Sequence, residues 1–117
     1  MKNQFVPYEL AVKLKELGFD DPCFARFRKG EFQLNTLGKA IEHNSQQIVI
    51  GDVSAPLWQQ AFDWFREEGV ISWIDRNDNT FRYNIEFSNG SILGLQGFVT
   101  YEEARLACLE KLIELVS

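Results

Sequence analysis

Phe81-Arg82-Tyr83-Asn84-Ile85-Glu86-Phe87 alternates large apolar and polar residues without a break. Only an extended strand turns a period of two into one apolar face and one wet face. A strand of this kind belongs in an antiparallel sheet with one side open to solvent. Val70 to Ile74 precede it across Arg76-Asn77-Asp78-Asn79. Ser88-Asn89-Gly90 leads on to Ser91-Ile92-Leu93, the Asn-Gly pair favouring a turn with positive φ. The sequence therefore predicts a three-stranded meander. A second period-two stretch, Cys23 to Asn35, reads as a β-hairpin around Lys29-Gly30. Leu37 to Asp52 is the segment expected to be most mobile, a loop closed by a short strand, Ile48-Val49-Ile50, that ends at Gly51.

Three segments change to helical spacing. Leu10, Leu14 and Leu17 follow Val6-Pro7-Tyr8, with Gly18 as a left-handed stop and Phe19 placed to fold back on the last turn. Ser54 as N-cap and Pro56 in the first turn predict a second helix over about residues 55–68, ending at Gly69. On it Leu57, Trp58, Ala61, Phe62, Trp64 and Phe65 cover an arc of roughly 160°, wider than one sheet contact requires. Thr100-Tyr101-Glu102-Glu103 has the form of a capping box, and Ala104, Cys108, Leu109, Leu112, Leu115 and Val116 mark the third helix behind it. The order is helix, two or three strands, helix, three strands, helix. The expectation is one α+β domain over residues 1–117, a mostly antiparallel sheet of five to six strands with three helices packed mainly on one face.

A chain of 117 residues with 45% apolar and 25% charged residues has the balance of a single folded domain. Its net charge of −5 opposes nucleic acid, whose binders neutralise phosphates with positive charge. No signal-peptide pattern follows Met1 and no apolar run is long enough to span a bilayer, so the expected location is the cytoplasm. Cys23 and Cys108 are read as reduced, Cys108 lying on an apolar helical stripe.

Residues suited to chemistry are few. His43 stands alone in a polar segment, and the zinc, phosphate-loop and nucleophile-elbow patterns do not occur. Asp20-Asp21 and Asp75 with Asp78 could pair as acid and base in a small hydrolase, but Asp is common in turns because it bonds nearby amides. The glycines of Gly94-Leu95-Gln96-Gly97 favour a bulge over a ligand site. No catalytic residue, cofactor or metal is therefore expected. Arg26, Arg28 and Lys29, beside Phe24, form the one basic strip able to grip a single strand by phosphate contact and stacking. Residues 55–117 also follow the order of the double-stranded-RNA-binding domain, yet Tyr101, Glu102 and Glu103 occupy the places of its phosphate-gripping lysines. Trp58, Phe62, Trp64 and Phe65 read first as core, since a stripe at helical spacing usually faces its own sheet, and they are also the candidate protein interface, because Trp is enriched in hot spots and a wide arc serves two neighbours.

Three blocks resemble a known group. Phe5-Val6-Pro7-Tyr8-Glu9-Leu10-Ala11 through Phe19, Ser54-Ala55-Pro56-Leu57-Trp58 through Arg66, and Tyr101-Glu102-Glu103-Ala104 through Ile113 resemble short hypothetical proteins carried by phages and mobile elements of gut anaerobes. The resemblance implies an accessory role, with no activity or ligand to carry over. The expected function is a non-enzymatic protein-binding module, partnered by itself as a homodimer or by a host protein.

Overall fold

The computed structural model describes residues 2–35, 43–45 and 49–117, which divide into two compact units, Met1–Ala61 and Phe62–Ser117. The first holds a short 3-10 turn (Lys2–Gln4), α1 (Tyr8–Leu17), β1 (Ala25–Arg28), β2 (Glu31–Leu34), β3 (Val53–Ala55) and the start of α2 (Trp58–Glu67). The second holds the rest of α2, β4 (Ile71–Asn77), β5 (Thr80–Glu86), β6 (Ile92–Phe98) and α3 (Tyr101–Val116).

In the first unit α1 ends as its sequence demands. Gly18 sits at φ 103° and its amide donates to the Lys15 carbonyl, while the Phe19 amide reaches the Leu14 carbonyl at 2.9 Å. This pair of bonds is a Schellman motif, and it turns Phe19 back into the core beside Leu14. A Cβ on Gly18 would meet no atom within 4 Å, so substitution there is limited by backbone conformation alone. Gly18→Ala is expected to lower stability by roughly 1–2 kcal/mol, read as a lower urea midpoint at unchanged slope. A change near zero would mean that the left-handed cap is not held in solution.

β1 and β2 form the expected hairpin, with Arg28 opposite Glu31 and both turn residues at positive φ (Lys29 54°, Gly30 80°). Such a pair marks a type I′ turn. Rings fill the inner side: Phe5 lies 4.9 Å from Phe32 and Tyr8 5.4 Å from Phe27, centroid to centroid. Some of the ten phenylalanines of the chain are thereby used in the core.

Two boundaries differ from expectation. The third strand is Val53–Ala55, paired antiparallel to β1. Val49 and Ile50 lie in a bend and turn before it, and Ile48 lies outside the described residues, as does much of the segment expected to be mobile. Ser54 is consequently a buried strand residue opposite Arg26, its amide donating to Asn44 Oδ1, rather than a helix cap. The cap falls on Leu57, whose carbonyl accepts from Ala61 and whose amide donates to Gln60 Oε1 at 2.9 Å. This is the return half of a capping box without its hydroxyl.

In the second unit α2 stops by the device used in α1: Gly69 bonds the Arg66 carbonyl and Val70 the Phe65 carbonyl. β4, β5 and β6 form the expected meander, with a bulge at Gly97 between Gln96 opposite Arg82 and Phe98 opposite Phe81. α3 packs on this sheet through the Phe81, Tyr83 and Ile85 face, the Phe81 ring lying 6.3 Å from that of Tyr101. Thr100 caps α3 by accepting the Glu103 amide at 3.1 Å.

Among the described residues the fold is α+β with three helices, as expected, but the six strands form two antiparallel sheets, ordered β2-β1-β3 and β4-β5-β6, rather than one. Alternation fixes which face of a strand is apolar and says nothing about its neighbour. β3 satisfies its ladder on β1, and no described pairing joins it to the meander.

Candidate functional site

The four aromatics of α2 are not equivalent. In the first unit Trp58 is buried and its indole Nε1 donates to the Asn3 carbonyl at 3.0 Å, so its polar handle is satisfied within the chain. In the second unit Phe65 is fully buried, with the Trp64 ring edge-on at 5.0 Å. Phe62 and Trp64 are half-buried, and none of the four is exposed.

The basic strip has an internal counterion. Arg28 grips Asp52 with two nitrogens, Nε to Oδ1 at 3.1 Å and Nη2 to Oδ2 at 2.8 Å, and Arg26 Nε lies 3.8 Å from the same carboxylate. Lys15 Nζ donates to the Asp52 carbonyl at 2.9 Å. Asp52 is only 6% exposed. Its carboxyl is held below the usual aspartate range, first by the Arg28 hydrogen bond and then by the charges of Arg28, Arg26 and Lys15, against the opposing effect of burial. Lys29 is left at the apex of the hairpin turn. Asp52 was not legible as a partner, because its place opposite Arg28 exists only once β3 has paired with β1.

The carboxylates are engaged as structural acceptors. Asp20 accepts from the Ser45 hydroxyl at 2.6 Å and the Ser45 amide at 2.7 Å, which lower its pKa. His43 Nδ1 lies 3.1 Å from the Asp20 carbonyl, and Asn44 donates to the Phe19 carbonyl. These bonds tie residues 43–45 to the end of α1 beside an open groove of about 280 Å³, where Asp20 is the one lining carboxylate among the described residues. Asp75 is paired with Arg82 rather than Asp78, through Nε at 2.9 Å and Nη2 at 2.8 Å, and its carboxyl is also held low. A general acid needs a raised carboxyl, and those of Asp20, Asp52 and Asp75 are lowered. Among the described residues no cluster of three or more metal-ligating side chains occurs. Cys23 and Cys108 are buried thiols outside any disulfide, and burial pushes the Cys108 thiol up to about 11, so it is not the thiolate that reacts.

What the second unit offers is a surface. On the sheet face away from α3, register sets three rows across the strands: Ile71-Glu86-Ile92, Trp73-Asn84-Gly94 and Asp75-Arg82-Gln96. Asn84 is buried at the centre, and a Cβ on Gly94 would meet its Oδ1 at 3.4 Å. Around it Ile71, Trp73 and Ile92 are exposed. The glycine pair thus serves a bulge at Gly97 and a close side-chain approach at Gly94. The first turn of α3 carries Glu102 and Glu103, a poor surface for phosphate.

No described helix is long and apolar enough to cross a membrane. No protein-family model, curated protein or solved structure matches the chain significantly.

Proposed function

We propose that the chain is a small non-enzymatic protein-binding module, an accessory or regulatory protein of a mobile element, that docks its partner on the β4-β5-β6 sheet. One observation carries this reading: a well-paired meander holds Ile71, Trp73 and Ile92 exposed around a buried Asn84. Large apolar side chains on a rigid frame, rimmed by the fixed Asp75–Arg82 pair, have the make-up of a binding patch. The resemblance of the three sequence blocks to proteins of mobile elements supplies the accessory setting. Phe62 and Trp64 can extend the contact, whereas Trp58 and Phe65 serve the core. The alternative, nucleic acid on Arg26, Arg28 and Lys29, is weakened by the use of both arginines on Asp52.

Affinity capture from the native host, with wild type beside an Ile71→Lys/Trp73→Ala variant, checks the reading. Wild type is expected to retain a protein that the variant recovers about tenfold less well or worse, as for loss of a hot spot. Equal recovery by both, or none by either, overturns it.

A further inference from the structure

We infer that the free edge of β6 pairs with β6 of a second copy of this chain, joining two three-stranded sheets into one two-fold dimer. The inference goes beyond the protein-binding reading: it adds a contact at the edge of the same sheet, separate from the Ile71 and Trp73 patch. Among the described residues β6 is hydrogen-bonded to β5 alone. Its seven residues, Ile92–Phe98, therefore present an outer row of backbone donors and acceptors ready to accept another strand.

Charge selects the occupant. Between Glu86 and Glu102 there is no Asp, Glu, Lys, Arg or His, in a chain that is 25% charged with a net charge of −5. The other edges differ. β4 carries Asp75 and Arg76, β2 carries Glu31, and β3 is three buried residues. Natural sheets guard an open edge with Lys, Pro or inward charge, and β6 has none of these, only the bulge at its end. Two molecules that repel through a net charge of −5 meet at least cost where each is neutral. A cationic partner gains nothing from this edge and is drawn elsewhere on the chain.

Symmetry fits as well. The bulge at Gly97 leaves Ile92–Gln96 as the straight part of the edge. An antiparallel two-fold centred on Gly94 sets each Leu93 opposite the partner's Leu95, and each Ile92 opposite the partner's Gln96. Leu95 is 52% exposed and Ile92 59% exposed, so the pairing covers apolar surface that a single copy leaves wet. A two-fold contact uses the same patch on both copies, and this register is self-complementary.

Sedimentation equilibrium of the full chain from about 1 μM to about 500 μM tests the inference over the range of weak dimers. The mass is expected to rise from 13.6 kDa toward twice that value. Leu95→Lys and, separately, Ile92→Lys should hold it at the monomer value with an unchanged circular dichroism spectrum, while Ile71→Lys, on the opposite edge strand, should still dimerise. In wild type, amide exchange over residues 92–96 should slow as concentration rises. A wild-type mass fixed at the monomer value, dimers that survive both β6 lysines, or exchange independent of concentration overturns the inference. Each of these results leaves capture through Ile71 and Trp73 to be judged on its own outcome.

Discussion

Phe65→Ala is expected to lower the unfolding free energy by about 3–5 kcal/mol, the range for a fully buried phenylalanine that leaves a cavity behind. Phe65 has no exposed surface, and the Trp64 ring is set against it edge-on. Its carbonyl also accepts the Val70 amide that closes α2, so a collapse of the site disturbs the helix stop. A domain of this size is stable by roughly 5–15 kcal/mol, so the variant should melt far below wild type. The measurement is a urea titration followed by far-ultraviolet circular dichroism. Phe62→Ala, at a half-buried position on the same helix, is the internal comparison and should cost clearly less. If the two substitutions cost the same, or Phe65→Ala costs under about 1 kcal/mol, the helix does not bury the face described above.

Asp52→Asn is the second large effect, about 2 kcal/mol at neutral pH. Removing one partner of a buried ion pair costs more than the pair contributes, because the other charge stays behind without compensation. The cost falls below the roughly 3–5 kcal/mol of a fully buried pair, since the Arg26 and Arg28 side chains keep 25% and 30% of their surface exposed and water screens them in part. The pH dependence has a definite sign. The folded-state pKa of Asp52 is lowered, chiefly by the Arg28 hydrogen bond, so between the folded and unfolded values the unfolded chain binds more protons. The stabilisation is therefore complete above the ordinary aspartate value of about 4 and disappears as pH falls through the lower folded value. Asp20 and Asp75 shift in the same direction, so wild type loses stability steeply in acid. Asp52→Asn should show a smaller loss between pH 7 and acid, and the two proteins should converge at low pH. A gap that persists unchanged into acid would assign the effect to packing rather than charge.

The parts of the fold that were legible are those set by neighbours in sequence. Gly18 and Gly69 ended their helices because a left-handed residue is cheap only for glycine, and Thr100 capped α3 through an amide three residues on. The hairpin at Lys29-Gly30 and the meander around Phe81 to Phe87 followed from a period of two. Ser54 departs from its expected role as a cap for a specific reason: Ser is a good cap in isolation, yet here its amide is taken by Asn44 and its strand by β1. The polar residues at 43–45 carried no period, and their order comes from single hydrogen bonds to the loop after α1.

The candidate surface was half legible. The aromatic stripe of α2 identified large side chains without saying which of them the core would consume, since Trp58 became internal through a bond to Asn3, 55 positions away. The exposed face of the meander was implied by its alternation, but the rows that place Trp73 beside Asn84 and Gly94 required the register.

The sequence by itself determined the existence of the helices, their glycine stops and the wet face of one meander, because periods and caps are constraints between residues within about one turn or one pleat. Only the tertiary structure decided that the described strands divide into two sheets, that Asp52 pairs with both arginines of the basic hairpin and which aromatics of α2 are fully buried. These depend on which distant segments bury each other, as Arg28 and Asp52 do across 24 positions, and a local pattern carries no record of that choice.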